Sequence, residues 1–180
     1  LYAAALDAGF TAASIINDAP IVLEDASLEG LWRPVNFSER FFGPTRLRWA
    51  LTKSRNLVSI RLLQQLGVQR FIDYAAGLGL DTAEFVPDLS IALGTQAMTP
   101  LQVALAYATL ANGGYRVEPY LIQRIEDVDG SVLFEAAPAT AGEDGGDDAA
   151  AAERMRSLEA ILRSARSPQA PRVMDERANF

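Results

Sequence analysis

The 180-residue sequence has no cysteine and no histidine, and Lys53 is the single lysine among its 16 basic residues. Without cysteine there is no disulfide framework and no thiolate metal site. Without histidine, neither a Ser-His-Asp triad nor an imidazole-ligated metal can be built. A cysteine-free chain suits an oxidising bacterial envelope and the cytosol alike. No signal peptide and no apolar run long enough to cross a bilayer occurs, which says only that such a segment is not in these residues.

What is present fits a soluble globular protein, at 49% hydrophobic and 22% charged residues. A domain of this length buries roughly 70% of the surface of its unfolded chain, enough for a real core. The sequence opens at Leu1 and stops at Phe180, one turn into a helix-like segment, and so reads as an excerpt. The net charge of −7 is unevenly spread. Residues 33–70 carry Arg33, Arg40, Arg46, Arg48, Lys53, Arg55, Arg61 and Arg70 against one acid, Glu39. That stretch reads as a solvated arginine face on two helices rather than an anion-binding surface. With an acidic remainder and no nucleic-acid motif, no nucleic-acid partner is expected.

Taken in order, residues 1–8 read as the tail of a helix ended by Gly9. Asn17-Asp18-Ala19-Pro20 reads as a turn leading into a short strand at Ile21-Val22-Leu23. Residues 30–44 lack a clean period and read as an ordered loop packed by Trp32, Phe37, Phe41 and Phe42. Thr45 is a candidate cap for a helix with Leu47, Ala50 and Leu51 on its inner face. A second helix spans 57–66, with Asn56 as candidate cap and Gly67 as stop, and a third runs from Val68 to Leu78, closed by Gly79. Residues 88–94 read as a buried loop. Thr99-Pro100 opens the clearest helix, with Leu101, Ala104, Leu105, Ala108 and Ala111 as its apolar face and Gly113-Gly114 as its end. Tyr107 is expected in the core of that helix. Residues 115–117 and 120–128 read as strands, and Asp129-Gly130 before Val132-Leu133-Phe134 signals a hairpin with a two-residue turn.

From Ala136 to Ala152 the composition narrows to Ala, Gly, Pro, Thr, Asp and Glu, with too few apolar side chains to offset the entropy of ordering. Residues 136–170 are therefore expected to be a flexible insertion, including a marginal helix over 153–165. Asp175 then resembles a helix cap.

Only Ser54-Arg55-Asn56 looks like chemistry. Side chains at i and i+2 share a side in a turn or extended segment but diverge around a helix, so Ser54 and Asn56 can act together only at a non-helical join. Ser-x-Asn alone is a weak signal. The bland alternatives are an exposed serine and a helix-capping asparagine, with Trp32 a buried anchor and Lys53 facing solvent.

Context changes that balance. The order Trp32-x-Pro34-x-Asn36, Gly43-Pro44, Leu47-x-x-Ala50-Leu51-x-x-Ser54-x-Asn56, then residues 90–95, 99–104 and 111–115, resembles the transpeptidase domain of penicillin-binding proteins, most closely the bifunctional class A type. The resemblance covers residues 1 to about 135 and resumes at 171–180. It implies an α+β fold, here mainly the helical subdomain with a short β-hairpin and a flexible insertion. That family uses Ser-x-x-Lys, Ser-x-Asn and Lys-Thr-Gly motifs. Three residues before Lys53 stands Ala50, and after it come Ser54 and Arg55, so neither lysine motif exists here. The family's spacing puts one before Leu1 and the other after Phe180.

By resemblance, Ser54 would relay a proton and Asn56 would hold the substrate amide during serine acyl transfer from D-Ala-D-Ala stem peptides. Arg55 would serve fold or solubility. Beta-lactams would acylate the same nucleophile. No cofactor and no metal are implied. The expected location is the periplasmic face of the inner membrane, with membrane attachment only through a segment absent from these residues. The piece alone is expected to be inactive. Two alternatives stay open, a catalytically silent envelope-binding or scaffold relative and a beta-lactam-hydrolysing or sensing relative.

Overall fold

Residues 1–25, 30–139 and 171–174 are described by a computed structural model. The core forms around residues 56–66, which bury six apolar side chains on one side and leave Gln64 and Gln65 exposed on the other. Helix α3, Asn56–Leu66, fully buries Leu57, Val58, Ile60, Leu62 and Leu63 and leaves Leu66 8% exposed. Such side chains contribute roughly 1.5–3 kcal/mol each on burial. Val58 and Leu62 pack with Ala5, Ile16, Leu47 and Ala50, while Leu63 joins Ile72 and Ile91 in a second cluster.

Around α3 lie α1 (Tyr2–Asp7), β1 (Ile15–Asp18), β2 (Leu23–Asp25), β3 (Gly30–Trp32), β4 (Gly43–Arg46), α2 (Leu47–Thr52) and α4 (Val68–Gly77). A 3-10 turn at Leu89–Leu93, helix α5 (Pro100–Ala111) and strands β5 (Arg124–Glu126) and β6 (Val132–Glu135) follow. The strands form three antiparallel pairs, β1 with β4, β2 with β3 and β5 with β6. This mixture of helices and short strand pairs is the expected α+β class. Gly67, at φ 93°, takes the left-handed backbone that lets α3 turn directly into α4.

Several local expectations are corrected. Asn17 and Asp18 belong to β1, whose alternation buries Ile16 and Asp18, and the next strand begins only at Leu23. Residues 30–44 are bracketed by β3 and β4, and aromatic packing does not order them. Phe37 is 100% exposed and Phe41 and Phe42 are each 47% exposed. Thr45 lies inside β4 and donates its hydroxyl to the Gly43 carbonyl, so extended Arg46 precedes α2. Leu51 is 58% exposed, leaving Leu47 and Ala50 as the inner face of α2. Asn56 is the first residue of α3, and Arg55 stands at its N-cap position.

Residues 89–93 form a 3-10 turn because the Asp88 carboxylate accepts from the Ser90 amide at 2.8 Å. Helix α5 has the expected start, with a complete capping box between Thr99 and Gln102. Its apolar face is not buried: Leu101, Ala104 and Tyr107 are exposed, and Thr109 is its buried residue. The 115–117 strand reduces to one bridge, Tyr115 to Arg172, and the 120–128 strand to β5. The hairpin loop is longer than two residues because the Asp127 carboxylate accepts from the amides of Asp129 and Ser131. Only Gly130, at φ 80°, takes a positive φ there. Most of the expected insertion, the 153–165 helix and the Asp175 cap lie outside the described residues.

Candidate active site at the 54–56 turn

Helix α2 ends in a Schellman turn. The Arg55 amide donates back to the Ala50 carbonyl at 2.9 Å and the Ser54 amide to the Leu51 carbonyl at 3.1 Å. Ser54 therefore stands at the position where glycine normally ends a helix, with φ 51°. For a residue with a Cβ, left-handed backbone costs roughly 1–2 kcal/mol. The side chain is exposed, and its hydroxyl makes no hydrogen bond among the described residues.

Arg55 is half-buried, its guanidinium carbon 3.4 Å from the centre of the Phe42 ring and its Nη1 donating to Ser38 Oγ at 3.4 Å. Arg61 is likewise drawn in, donating to the carbonyls of Ala19 and Pro20 at 3.2 and 2.8 Å. These two arginines fasten loops, whereas Arg33, Arg40, Arg46, Arg48 and Arg70 are exposed. Lys53 is exposed, with its ammonium 4.7 Å from the centre of the Trp49 ring. Trp32 is half-buried.

Asn56, the first helical residue rather than the cap, donates from Nδ2 to the Val35 carbonyl at 2.9 Å. One N–H and the carbonyl oxygen of its carboxamide remain for a ligand. Beneath it, Asn36 is 1% exposed and Asp18 0% exposed. Asn36 Nδ2 lies 2.8 and 3.0 Å from the two Asp18 carboxylate oxygens and 2.8 Å from the Arg40 carbonyl. Its Oδ1 accepts from the Leu57 amide at 3.4 Å, taking up one of the free N–H groups at the start of α3.

The turn thus offers an exposed hydroxyl that can both donate and accept, and a carboxamide anchored through one hydrogen. Such a pair can pass a proton and orient an amide. Among the described residues no carboxylate is hydrogen-bonded to Ser54 as an activating base. Among the described residues no group of His, Cys, Asp or Glu could hold a metal ion, and no helix is long and apolar enough to cross a membrane. A concavity of about 500 Å³ lies elsewhere, lined by Arg116, Tyr120, Phe134, Pro138 and Pro171 among others. It includes neither Ser54 nor Asn56.

The structure brings Ser54 and Asn56 to one turn, as the motif requires. The supporting roles of Asp18, Val35 and Asn36 were not legible, although Asn36 stands in the Trp32-x-Pro34-x-Asn36 pattern. The family model of the penicillin binding protein transpeptidase domain matches residues 1–173. The chain belongs to the penicillin-binding protein transpeptidase family. Penicillin-binding protein 1A of Pseudomonas aeruginosa is 54% identical over 138 residues, covering 77% of this chain and 17% of that protein. The crystal structure of penicillin-binding protein 1A from Haemophilus influenzae superposes with a TM-score of 0.81 at 31% identity, over 99% of this chain and 27% of that one. Penicillin-binding protein A of Mycobacterium tuberculosis, solved as a ceftriaxone acyl-enzyme complex, matches with a TM-score of 0.61 at 26% identity, over 75% of this chain and 35% of that one. The expected family and fold are borne out, and the chain spans about a sixth of the length of its Pseudomonas relative (17%).

Proposed function

We propose that residues 54–56 are the relay and amide-holding part of a peptidoglycan D,D-transpeptidase centre, completed by residues outside this sequence. A serine supplied by a Ser-x-x-Lys motif attacks the carbonyl of the penultimate D-alanine of a stem peptide. The carbon–nitrogen bond breaks, and D-alanine leaves with a proton delivered through the Ser54 hydroxyl. The amine of a neighbouring stem peptide then attacks the acyl-serine ester, and the serine regains its proton. Asn56 holds the donor peptide's amide throughout. A beta-lactam ring presents the same carbonyl, and opening its amide bond leaves the serine acylated. Since the substrate is cell-wall peptide, the reaction belongs at the periplasmic face of the envelope.

The observation that carries this reading is the conformation of Ser54. A solvent-exposed serine in a left-handed position that glycine would fill without strain is best explained by a need for its hydroxyl. General acid–base groups contribute typically 10²–10⁴-fold to rate. In the longer polypeptide carrying these residues, Ser54→Ala should slow acylation by a fluorescent penicillin by roughly that factor. The unsubstituted polypeptide should be labelled and the 180-residue chain should not. A folded polypeptide that takes no label, or labelling of the short chain, overturns the assignment.

A further inference from the structure

Asn36 satisfies three elements at once. Its amide nitrogen is shared between the Asp18 carboxylate on β1 and the Arg40 carbonyl in the loop before β4, and its oxygen receives the Leu57 amide at the start of α3. One residue earlier, the Val35 carbonyl takes the Asn56 carboxamide. Beside the contacts of Arg55 with Ser38 and Phe42, the loop that orients Asn56 is therefore tied to β1 and α3 through one carboxamide, and that carboxamide is aligned by a carboxylate with no exposure to solvent. A buried carboxylate left without a donor is costly, so Asp18 strongly favours the arrangement in which Asn36 faces it. Four hydrogen-bond contacts to one planar group leave little freedom for Val35, and hence for Asn56.

We propose that Asn36, aligned by Asp18, is a positioning residue for the Ser54–Asn56 turn, fixing through Val35 and Leu57 the direction in which the Asn56 carboxamide faces substrate. This rests on the transpeptidase reading of Ser54 and Asn56. Asn36 touches no substrate, and its effect on the reaction passes through Asn56.

A double-mutant cycle for acylation by fluorescent penicillin in the longer polypeptide separates positioning from general support. Asn36→Ser, which keeps a hydroxyl but cannot span the same partners, should slow acylation by about tenfold or more alone and by less than about twofold in an Asn56→Ala background, since residues in one network are not additive. Equal losses in both backgrounds overturn the proposal. If Asn36→Ser does not fold, the near-isosteric Asp18→Asn carries the same cycle, with the same two outcomes.

Hydrogen exchange supplies a readout independent of penicillin chemistry. In whichever variant folds, amides of residues 54–57 should exchange about tenfold faster while those of α5 are unchanged, as expected for loss of a local fastening. Unchanged exchange at 54–57 overturns the proposal even where acylation falls. A longer polypeptide that takes no penicillin sinks the transpeptidase reading but leaves the exchange result to decide the positioning role.

Discussion

Helices α3 and α5 are of nearly equal length, 11 and 12 residues, and both are largely apolar, yet they sit in opposite circumstances. Helix α3 buries six apolar side chains, whereas the buried residue of α5 is Thr109, whose hydroxyl turns back onto the Leu105 carbonyl. The difference extends to their ends. Helix α5 carries its own start signal in the Thr99–Gln102 capping box. Helix α3 has no side-chain cap from its neighbouring residues, and one of its first amides, that of Leu57, is met by Asn36, twenty-one positions away. One helix is specified locally and the other by tertiary structure. The Ser54–Asn56 turn lies at the start of the second kind, where distant groups hold it.

The contrast predicts unequal costs for equal deletions. Leu62→Ala, at a fully buried position, should destabilise the folded chain by about 2–5 kcal/mol in chemical denaturation, the usual range for a large-to-small core change. Leu121→Ala removes the same atoms from a side chain 98% exposed between α5 and the hairpin, and should stay within about 0.5 kcal/mol of the unsubstituted chain. Similar losses at the two positions would erase the distinction between the packed and the open regions.

At the rim of the packed region the sign should reverse. Ser54→Gly relieves the left-handed backbone at φ 51° and should raise stability by about 0.5–1 kcal/mol, while removing the hydroxyl to which the proposed relay is assigned. Equilibrium denaturation and penicillin acylation measured on the same variant in the longer polypeptide check both halves. A destabilised glycine variant would mean that the serine is held for packing and not for chemistry.

The same contrast explains what could be read from residues alone. Thr99-Pro100 announced α5 correctly because every group involved lies within one turn. Thr45 and Asn56 also have cap-forming side chains, but Thr45 is paired with Ile16 inside β4 and Asn56 is the first helical residue, its Nδ2 held by the Val35 carbonyl, and sequence distance hides both partners. Asp18 reads as a turn residue beside Asn17, Ala19 and Pro20, because its reason for being buried, Asn36, is eighteen positions away. The size of the aromatics of residues 37–42 points to packing. Yet Phe37 is fully exposed and Phe42 serves as a platform for Arg55. The Ser-x-Asn turn itself was legible, since the non-helical join it demands follows from the spacing of two side chains.

The smallest expected effect probes the packed region through charge rather than volume. The Tyr74 hydroxyl, on α4, is buried without a hydrogen-bond partner among the described residues, and its phenol is pushed up to about 12, first by burial and then by the nearby Asp7 carboxylate. The unfolded chain gives up this proton near the ordinary value of 10, while the folded chain keeps it. The stability tied to the neutral phenol is therefore complete below pH 10 and is lost as pH rises from 10 through about 12. Tyr74→Phe should flatten the fall of Tm across that window. Asp7→Asn should narrow it by removing the repulsion and leaving burial to act alone. If neither variant changes the slope, alkaline loss of stability arises at other groups, and the packed region is not the part of the chain that fails first at high pH.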